Sequence, residues 1–268
     1  MVKIMKRTKM TEQKIKAFLA PAVRAIRIVG CGGTGSYLAQ GLAKLLTGYG
    51  IAEMEVKLVD PDVVEERNCK RQNFKPWEVG MNKAEALALR LSEEFGNEAD
   101  DGQNASPRFV AYPCLGEKVQ SSYGELIVTC VDNISARKHY KGSNLWMDLG
   151  NGVSQGQAIF GTVQDERVIQ SELNDWEKTP IVKALPNPYL KAGLKNLKDK
   201  KTKKRAVSCA DMPFDAQGIF VNELAAQAGL NILHQILVKG TVCCPAIYFD
   251  AEHPRMISAA ITKEYMTL

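Results

Sequence analysis

Gly30, Gly32 and Gly35 stand in the spacing G-x-G-x-x-G, directly after the apolar run Ala25-Ile-Arg-Ile-Val29 and directly before Leu38, Leu42, Leu45 and Leu46, which share one helical face. Strand, glycine turn and helix in that order confine this part of the chain to an α/β unit. The turn is tight, its backbone lets a phosphate approach, and the helix N-terminus offers amides that the helix itself does not use. Glycines at this spacing also serve a bare strand-to-helix turn, and the motif suits a dinucleotide as well as ATP.

The rest of the chain continues the alternation. Glu55-Val-Lys-Leu-Val59 reads as a second strand ending in Asp60, Asn82 to Phe95 as a helix closed by Gly96, Leu126 to Cys130 and Leu145 to Leu149 as buried strands, and Ile134 to Tyr140 as a short helix between them. Alternating strands and helices predict a mostly parallel, Rossmann-like sheet flanked by helices, with right-handed crossovers. Gln157 to Thr162 predicts one more strand. Residues 172–213 hold Pro180, Pro186 and Pro188 and little periodicity, and are expected to form a long flexible crossover loop. A C-terminal extension follows over 214–268, with a helix from Ile219 to Leu237 and a hairpin of Ala246–Phe249 and Met256–Ile261. Residues before Pro21 are polar and basic and read as a short helix or a loose arm. The expected organisation is a single domain over 1–268 with its nucleotide-binding core at 22–150.

Composition narrows the class further. With 45% hydrophobic and 24% charged residues in 268, the chain has the make-up of a globular domain and not of a disordered one. No window reaches the roughly 18–20 apolar residues of a membrane helix, and no apolar signal core follows the basic start, so a cytoplasmic location is expected. Seven cysteines in a chain too long to need staples are expected as free thiols. The net charge of +5 says little by itself, because much of the excess sits between Lys191 and Arg205, where eight basic residues face one acid, Asp199. No aromatic residue interleaves that run, so a solvated loop or a dock for an acidic protein is favoured over nucleic acid.

Asp60 stands where a carboxylate can accept hydrogen bonds from ribose hydroxyls. After it comes Asp60-Pro-Asp62-Val-Val-Glu-Glu-Arg-Asn68-Cys-Lys-Arg71-Gln72, then Val79-Gly80-Met-Asn-Lys83-Ala84, a dense set of phosphate-seeking groups that a dehydrogenase does not need. The spacing D-x-D-x-V-x-x-x-N-x-x-R-Q, then V-G-x-x-K-A, resembles the ThiF-type adenylating family, which includes the enzymes that activate ubiquitin and sulfur-carrier proteins. The resemblance is strong from Ile26 to about Asn151 and weaker from Ser208 to Leu237. The Val-Gly-Cys-Gly-Gly-Thr-Gly-Ser opening and the later Ser-Cys resemble a plasmid-borne cassette branch.

The resemblance implies ATP and Mg2+ as cofactors and adenylation of the C-terminal carboxylate of a small ubiquitin-like or sulfur-carrier protein by a homodimer. It places Gly30, Gly32, Gly33, Gly35, Asp60, Asp62, Asn68, Arg71, Gln72 and Lys83 around the nucleotide, with Arg71 and Lys83 also catalytic. Asp132, at the end of the Leu126 strand, would lie by the magnesium; the plainer alternative is that Asp132 or Asn133 caps the next helix, with Arg137 on its surface. Cys209 corresponds to a loop cysteine that forms a thioester or persulfide in relatives, and basic neighbours would favour its thiolate; the plainer alternative is a structural or incidental thiol. Many members hold zinc with C-x-x-C pairs; none is present here, and adjacent Cys243 and Cys244 make poor joint ligands, so no zinc is expected. The arginine that some dimers lend to a partner's site is not recognisable, with Arg7 and Arg24 as substitutes. His139, His234 and His253 fall in no acid–base or metal spacing. The competing readings are an inactive ThiF-like binding partner, or an NAD-dependent oxidoreductase, which would leave Asn68 to Lys83 idle.

Overall fold

The computed structural model describes residues 14–96, 106–197 and 220–268, so Cys209, Arg7 and the basic residues from 198 to 205 lie outside the described residues. The chain runs β1 (Ala17–Leu19), β2 (Ala25–Val29), α1 (Gly33–Gly48), β3 (Glu55–Val59), α2 (Lys83–Phe95), β4 (Arg108–Tyr112), β5 (Glu125–Thr129), α3 (Ile134–His139), β6 (Trp146–Asn151) and β7 (Gln155–Gly161). It continues with α4 (Glu166–Asn174), β8 (Ile181–Val182), α5 (Pro188–Lys191), α6 (Val221–Leu237), β9 (Thr241–Val242), β10 (Ala246–Asp250), β11 (Arg255–Ala259) and α7 (Lys263–Met266).

Eight strands form the central sheet in the order β11-β10-β7-β6-β5-β2-β3-β4. The five strands from β6 to β4 are parallel, and β7, β10 and β11 add an antiparallel wing. The fold is thus the α/β class expected, a mostly parallel sheet flanked by helices. Strand β2 is buried along its whole length, as a central strand covered on both faces must be. Its one charged residue, Arg27, is 1% exposed and is matched by Glu125, whose Oε2 accepts from Nη2 at 2.6 Å; Lys57 donates to Glu125 Oε1 at 3.0 Å. Two cations around one carboxylate, with the carbonyls of Val119 and Gln120 taking further Arg27 protons, let charged side chains sit among buried strands.

Helix α1 presents Leu38, Leu42 and Leu46, all fully buried, to the core, at about 1.5–3 kcal/mol of burial each. Small residues bring α6 close to it: a Cβ on Gly41 would stand 2.3 Å from Leu230 Cδ1, and one on Gly229 would stand 3.2 Å from Leu38 Cδ1.

Two expectations are corrected, and one strand was not expected. The stretch before Pro21 is neither helix nor loose arm in its described part: β1 pairs with β8 and β9 in a second, three-stranded sheet, and buried Lys16 donates to the carbonyls of Trp176 and Thr179. Residues 172–197 are not a flexible loop. They hold β8 and α5, with Trp176, Val182 and Leu185 in the core, and the prolines flank short elements too brief to show periodicity. Strand β4, unforeseen because Arg108-Phe-Val-Ala-Tyr112 carries only a weak apolar run, closes one sheet edge. Of the basic run, Lys191 donates to the carbonyls of Tyr265 and Thr267 and Lys195 pairs with Glu166 at 2.7 Å, so its first members tie the surface together.

Candidate functional site

Crossovers from β2 lead to β3 and β4 on one side and the chain then returns to β5 and β6 on the other, which opens a crevice at the carboxyl ends of β2 and β5. Gly30 turns there with φ +91°, and a Cβ on it would lie 2.8 Å from Val131 Cγ1 and 2.9 Å from the Cys130 carbonyl oxygen. Only glycine lets the turn lie this close to the end of β5. Gly35 packs beneath, where a Cβ would fall 1.8 Å from the Gly30 carbonyl oxygen, and Gly33 is approached by Asn222, 2.4 Å from its would-be Cβ. Gly32 differs: its nearest neighbour would be Gln72 Nε2 at 3.9 Å, so its missing side chain is open space in the cleft wall. Gly32 is also the N-cap of α1, so no capping side chain occupies the first amides of that helix.

Asp60, 5% exposed, accepts the Cys31 amide on Oδ2 at 2.7 Å and the Asp62 amide on Oδ1 at 2.8 Å. Burial raises its carboxyl above the ordinary range against those hydrogen bonds and the nearby Lys83 charge. Lys83 opens α2 and, nine-tenths buried, donates from Nζ to Asp62 Oδ2 at 3.0 Å. Asn82 fixes its placement: Oδ1 accepts the Ala84 and Glu85 amides as an N-cap, while Nδ2 donates to the carbonyls of Asp60 and Asp62, each at 2.9 Å. Arg71 and Gln72 enter the same cleft from the loop after β3. Gln72 is 9% exposed and its Oε1 has no hydrogen-bond partner among the described residues.

From β5 and beyond come Cys130, Val131 and Asp132. Asp132 is exposed, and Asn133, whose Oδ1 accepts the Ala136 amide at 3.1 Å, caps α3 in its place. Burial pushes the Cys130 thiol up, and the Cys31 thiol likewise, so neither is a ready nucleophile.

The structure thus brings Gly30, Gly32, Gly33, Asp60, Asp62, Arg71, Gln72, Lys83 and Asp132 onto one cleft. Gly35 and Asn68 do not reach its wall. Asn68, 2% exposed, spends its Oδ1 on the Glu65 amide at 2.8 Å and shapes the loop that carries Arg71.

Sequence reasoning missed two groups on the wall. Thr34, Asn151 and Asn222 form one cluster, with Asn151 Nδ2 donating to Asn222 Oδ1 at 2.9 Å. Arg137 is not a surface residue of α3: its side chain is 12% exposed and it pairs with fully buried Asp148. Burial alone would lower its pKa, but the bond to Asp148 and that carboxylate's charge raise it. The i+4 spacing of Arg137 from Asn133 and an acid inside a buried strand were the available signals.

Residues 22–141 match the family model described as the ThiF family. The chain is 28% identical over 242 residues to "Ubiquitin-like modifier-activating enzyme 5" of Xenopus laevis, covering 86% of this chain and 53% of that protein. It is 33% identical over 162 residues to the Oryza sativa subsp. japonica protein of the same name, covering 52% and 34%. The chain therefore spans about half the length, or less, of these curated relatives. Among solved structures, Escherichia coli MccB with ATP superposes with a TM-score of 0.55 at 18% identity, over 89% of this chain and 64% of that one. The microcin C7 biosynthetic enzyme MccB in complex with N-formylated MccA gives 0.56 at 18%, over 89% and 65%. These two structures share the fold of this chain. No described helix is long and apolar enough to cross a membrane.

Proposed function

We propose that this chain is an ATP-dependent adenylating enzyme acting on the C-terminal carboxylate of a small ubiquitin-like or sulfur-carrier protein. The observation that carries the reading is the convergence of Lys83, Arg71, Asp60 and the partnerless Gln72 Oε1 on a wall left open at Gly32. The residues suit a nucleoside triphosphate. Among the described residues Lys83 pairs with Asp62, whose side chain is exposed, and a phosphate entering the cleft would take over that role and keep the buried ammonium paired. Asp60 keeps lone pairs for ribose hydroxyls beyond the two amides it accepts. Gln72 offers an amide to the nucleotide, and Asp62 hands Lys83 over to the phosphates. Asn68 acts from behind, by shaping the loop that presents Arg71.

In the reaction, a carboxylate oxygen of the carrier forms a bond to the α-phosphorus of ATP. The bond from that phosphorus to the bridging oxygen breaks, and its electron pair leaves on pyrophosphate. Both reactants are anions, so the protein's part is to position them and offset their charge, here through Arg71, Lys83 and the first turn of α1. Asp132, an exposed carboxylate on the cleft wall, would hold a magnesium ion, which would supply positive charge to offset that on the leaving pyrophosphate. The curated relatives are named as ubiquitin-like modifier-activating enzymes, which supports a ubiquitin-like protein as the acceptor. A thioester on Cys209 follows in this reading, and a homodimer is its assembly.

The test is thermal stability with MgATP against NAD(H), for the native protein and Arg71→Ala. A ligand at about 100 times its Kd adds about 2.7 kcal/mol, several degrees for a chain of this size. A MgATP-specific shift lost in Arg71→Ala supports the reading; a shift with NAD(H) alone overturns it, and no shift with either favours an inactive partner.

A further inference from the structure

Asn222 stands in the first turn of α6, and its carboxamide fills the place that a side chain on Gly33 would take. A Cβ on Gly33 would stand 2.4 Å from Asn222 Nδ2 and 2.9 Å from its Oδ1. The residue is 8% exposed and lies on the wall of the cleft beside the first turn of α1.

The carboxamide has one orientation. Its Oδ1 accepts from Asn151 Nδ2 at 2.9 Å, and Thr34 Oγ1 lies 3.4 Å from that oxygen and 3.4 Å from Asn151 Oδ1. Turned over, it would set its nitrogen against the nitrogen of Asn151, donor against donor. Nδ2 is therefore held beside Gly33, and it has no acceptor among the described residues. A nine-tenths buried amide carries two N–H donors there, on the wall of an open cleft, and burial of a donor costs free energy unless an acceptor arrives.

Its surroundings narrow the acceptor. Asp60, the ribose partner in the adenylation reading, clasps the Cys31 amide, and Gly33 is two residues further along the same turn. The phosphate joined directly to a ribose is the α-phosphate. Lys83 and Arg71 come from the stretch after β3, whereas Asn222 comes from α6 and adds a neutral donor to those cations.

We propose that Asn222 donates from Nδ2 to the α-phosphate of ATP, with Asn151 as the residue that positions it. The assignment rests on the adenylation reading above. While the bond from the carrier carboxylate to the α-phosphorus forms and the electron pair of the breaking bond leaves on pyrophosphate, an oriented neutral donor offsets charge on the α-phosphate oxygens. A residue that only tied α6 to α1 and β6 would be served by its carbonyl alone, with no donor left open beside Gly33.

The experiment measures the affinities of adenosine, AMP and MgATP by calorimetry, the weaker ligands by displacement of MgATP, together with urea midpoints. The variants are Asn222→Ala, Asn222→Asp and Asn151→Ala. Asn222→Asp keeps the oxygen that Asn151 and Thr34 approach, and a carboxylate suits the first turn of a helix, so this variant folds. The native protein should prefer AMP to adenosine. Asn222→Ala should cut that preference at least tenfold, weaken MgATP by a similar factor and leave adenosine within about twofold of native. Asn222→Asp should cut the preference further, and Asn151→Ala should cut it by less than Asn222→Ala. An unchanged preference in Asn222→Ala, or equal losses of adenosine and AMP, overturns the contact while leaving adenylation standing. A loss for MgATP with AMP untouched overturns the assignment to the α-phosphate, as does a native protein that binds MgATP yet binds AMP no better than adenosine. A native protein that binds no MgATP overturns the adenylation reading itself.

Discussion

The Asp60 carboxylate accepts the Cys31 amide at 2.7 Å, which ties the end of β3 to the glycine turn that follows β2. One side chain thereby sets the distance between the two strands that bracket the cleft. It does so while buried, and burial raises its carboxyl. In the unfolded chain the same group titrates near about 3.9. Between that value and the raised folded one, the native state binds the extra proton. Stability is therefore highest below the unfolded value and falls as pH rises through this window. Asp60→Asn should abolish that decline: urea midpoints at pH 4 and pH 7 should favour the native residue more at pH 4. A native advantage that grows with pH would contradict the burial argument.

Gly32 and Gly33 are neighbours with opposite surroundings, and alanine should tell them apart. At Gly33 the methyl meets Asn222 at 2.4 Å and must displace it from the cluster with Asn151 and Thr34, a disturbance of about 1–3 kcal/mol. At Gly32 it projects into open cleft and meets no side chain closer than Gln72, so the cost there is confined to the backbone, at φ −77° and ψ −140°. Gly32→Ala should therefore leave the cluster of Asn222, Asn151 and Thr34 intact yet weaken MgATP at least tenfold in calorimetry. Equal MgATP affinity in Gly32→Ala would remove the phosphates from this wall.

Arg90 carries the loop that carries Arg71 and Gln72. Its Nη1 donates to Glu78 at 2.9 Å and its Nη2 to the Asn73 carbonyl at 2.6 Å, with Glu78 almost fully buried and also accepting the Lys75 amide. Removing the cation leaves a buried carboxylate without its partner, which costs about 3–5 kcal/mol. Arg90→Ala should lose that much in urea unfolding, and Arg90→Ala with Glu78→Gln should regain part of it.

The sequence carried the parallel half of the sheet well, because Ala25–Val29 and Glu55–Val59 are almost wholly buried and rich in Ile, Val and Leu, with Arg27 and Lys57 the charged residues inside them. It carried the cleft well for a local reason: Gly30 to Gly33, Asp60 to Gln72 and Lys83 all sit one turn beyond a strand end or at a helix start. What it did not carry depends on distant pairing. Strand β1 is three residues that make sense only beside β8 and β9, and Arg137 looks like any surface arginine until Asp148, on another strand, is placed beneath it. Asn222 reaches Gly33 from a helix nearly two hundred residues away, so no spacing rule could join them.

Cys209 is the nucleophile that the reading requires if the acyl group moves on to the protein. A thioester there predicts a carrier adduct that survives denaturant but is cleaved by excess thiol. Cys209→Ala should form none while keeping native pyrophosphate exchange. The same yield of thiol-labile adduct from Cys209→Ala would assign the transfer to another thiol. Cys31 and Cys130 are weak candidates, since burial raises both.

Asp132 separates chemistry from fold more cleanly than any other residue of the cleft. It is exposed, and α3 takes its cap from Asn133, so Asp132→Asn removes a charge without removing a helix cap. Unfolding free energy should stay within about 0.5 kcal/mol of native, the range for surface changes away from special features. Pyrophosphate exchange should fall by at least a hundredfold, because a neutral amide no longer offers magnesium an anionic oxygen while Lys83 and Arg71 still hold the phosphates. Raising magnesium should restore part of the exchange if the carboxylate acts through the metal. A variant that keeps native exchange at low magnesium would exclude Asp132 from the metal's surroundings.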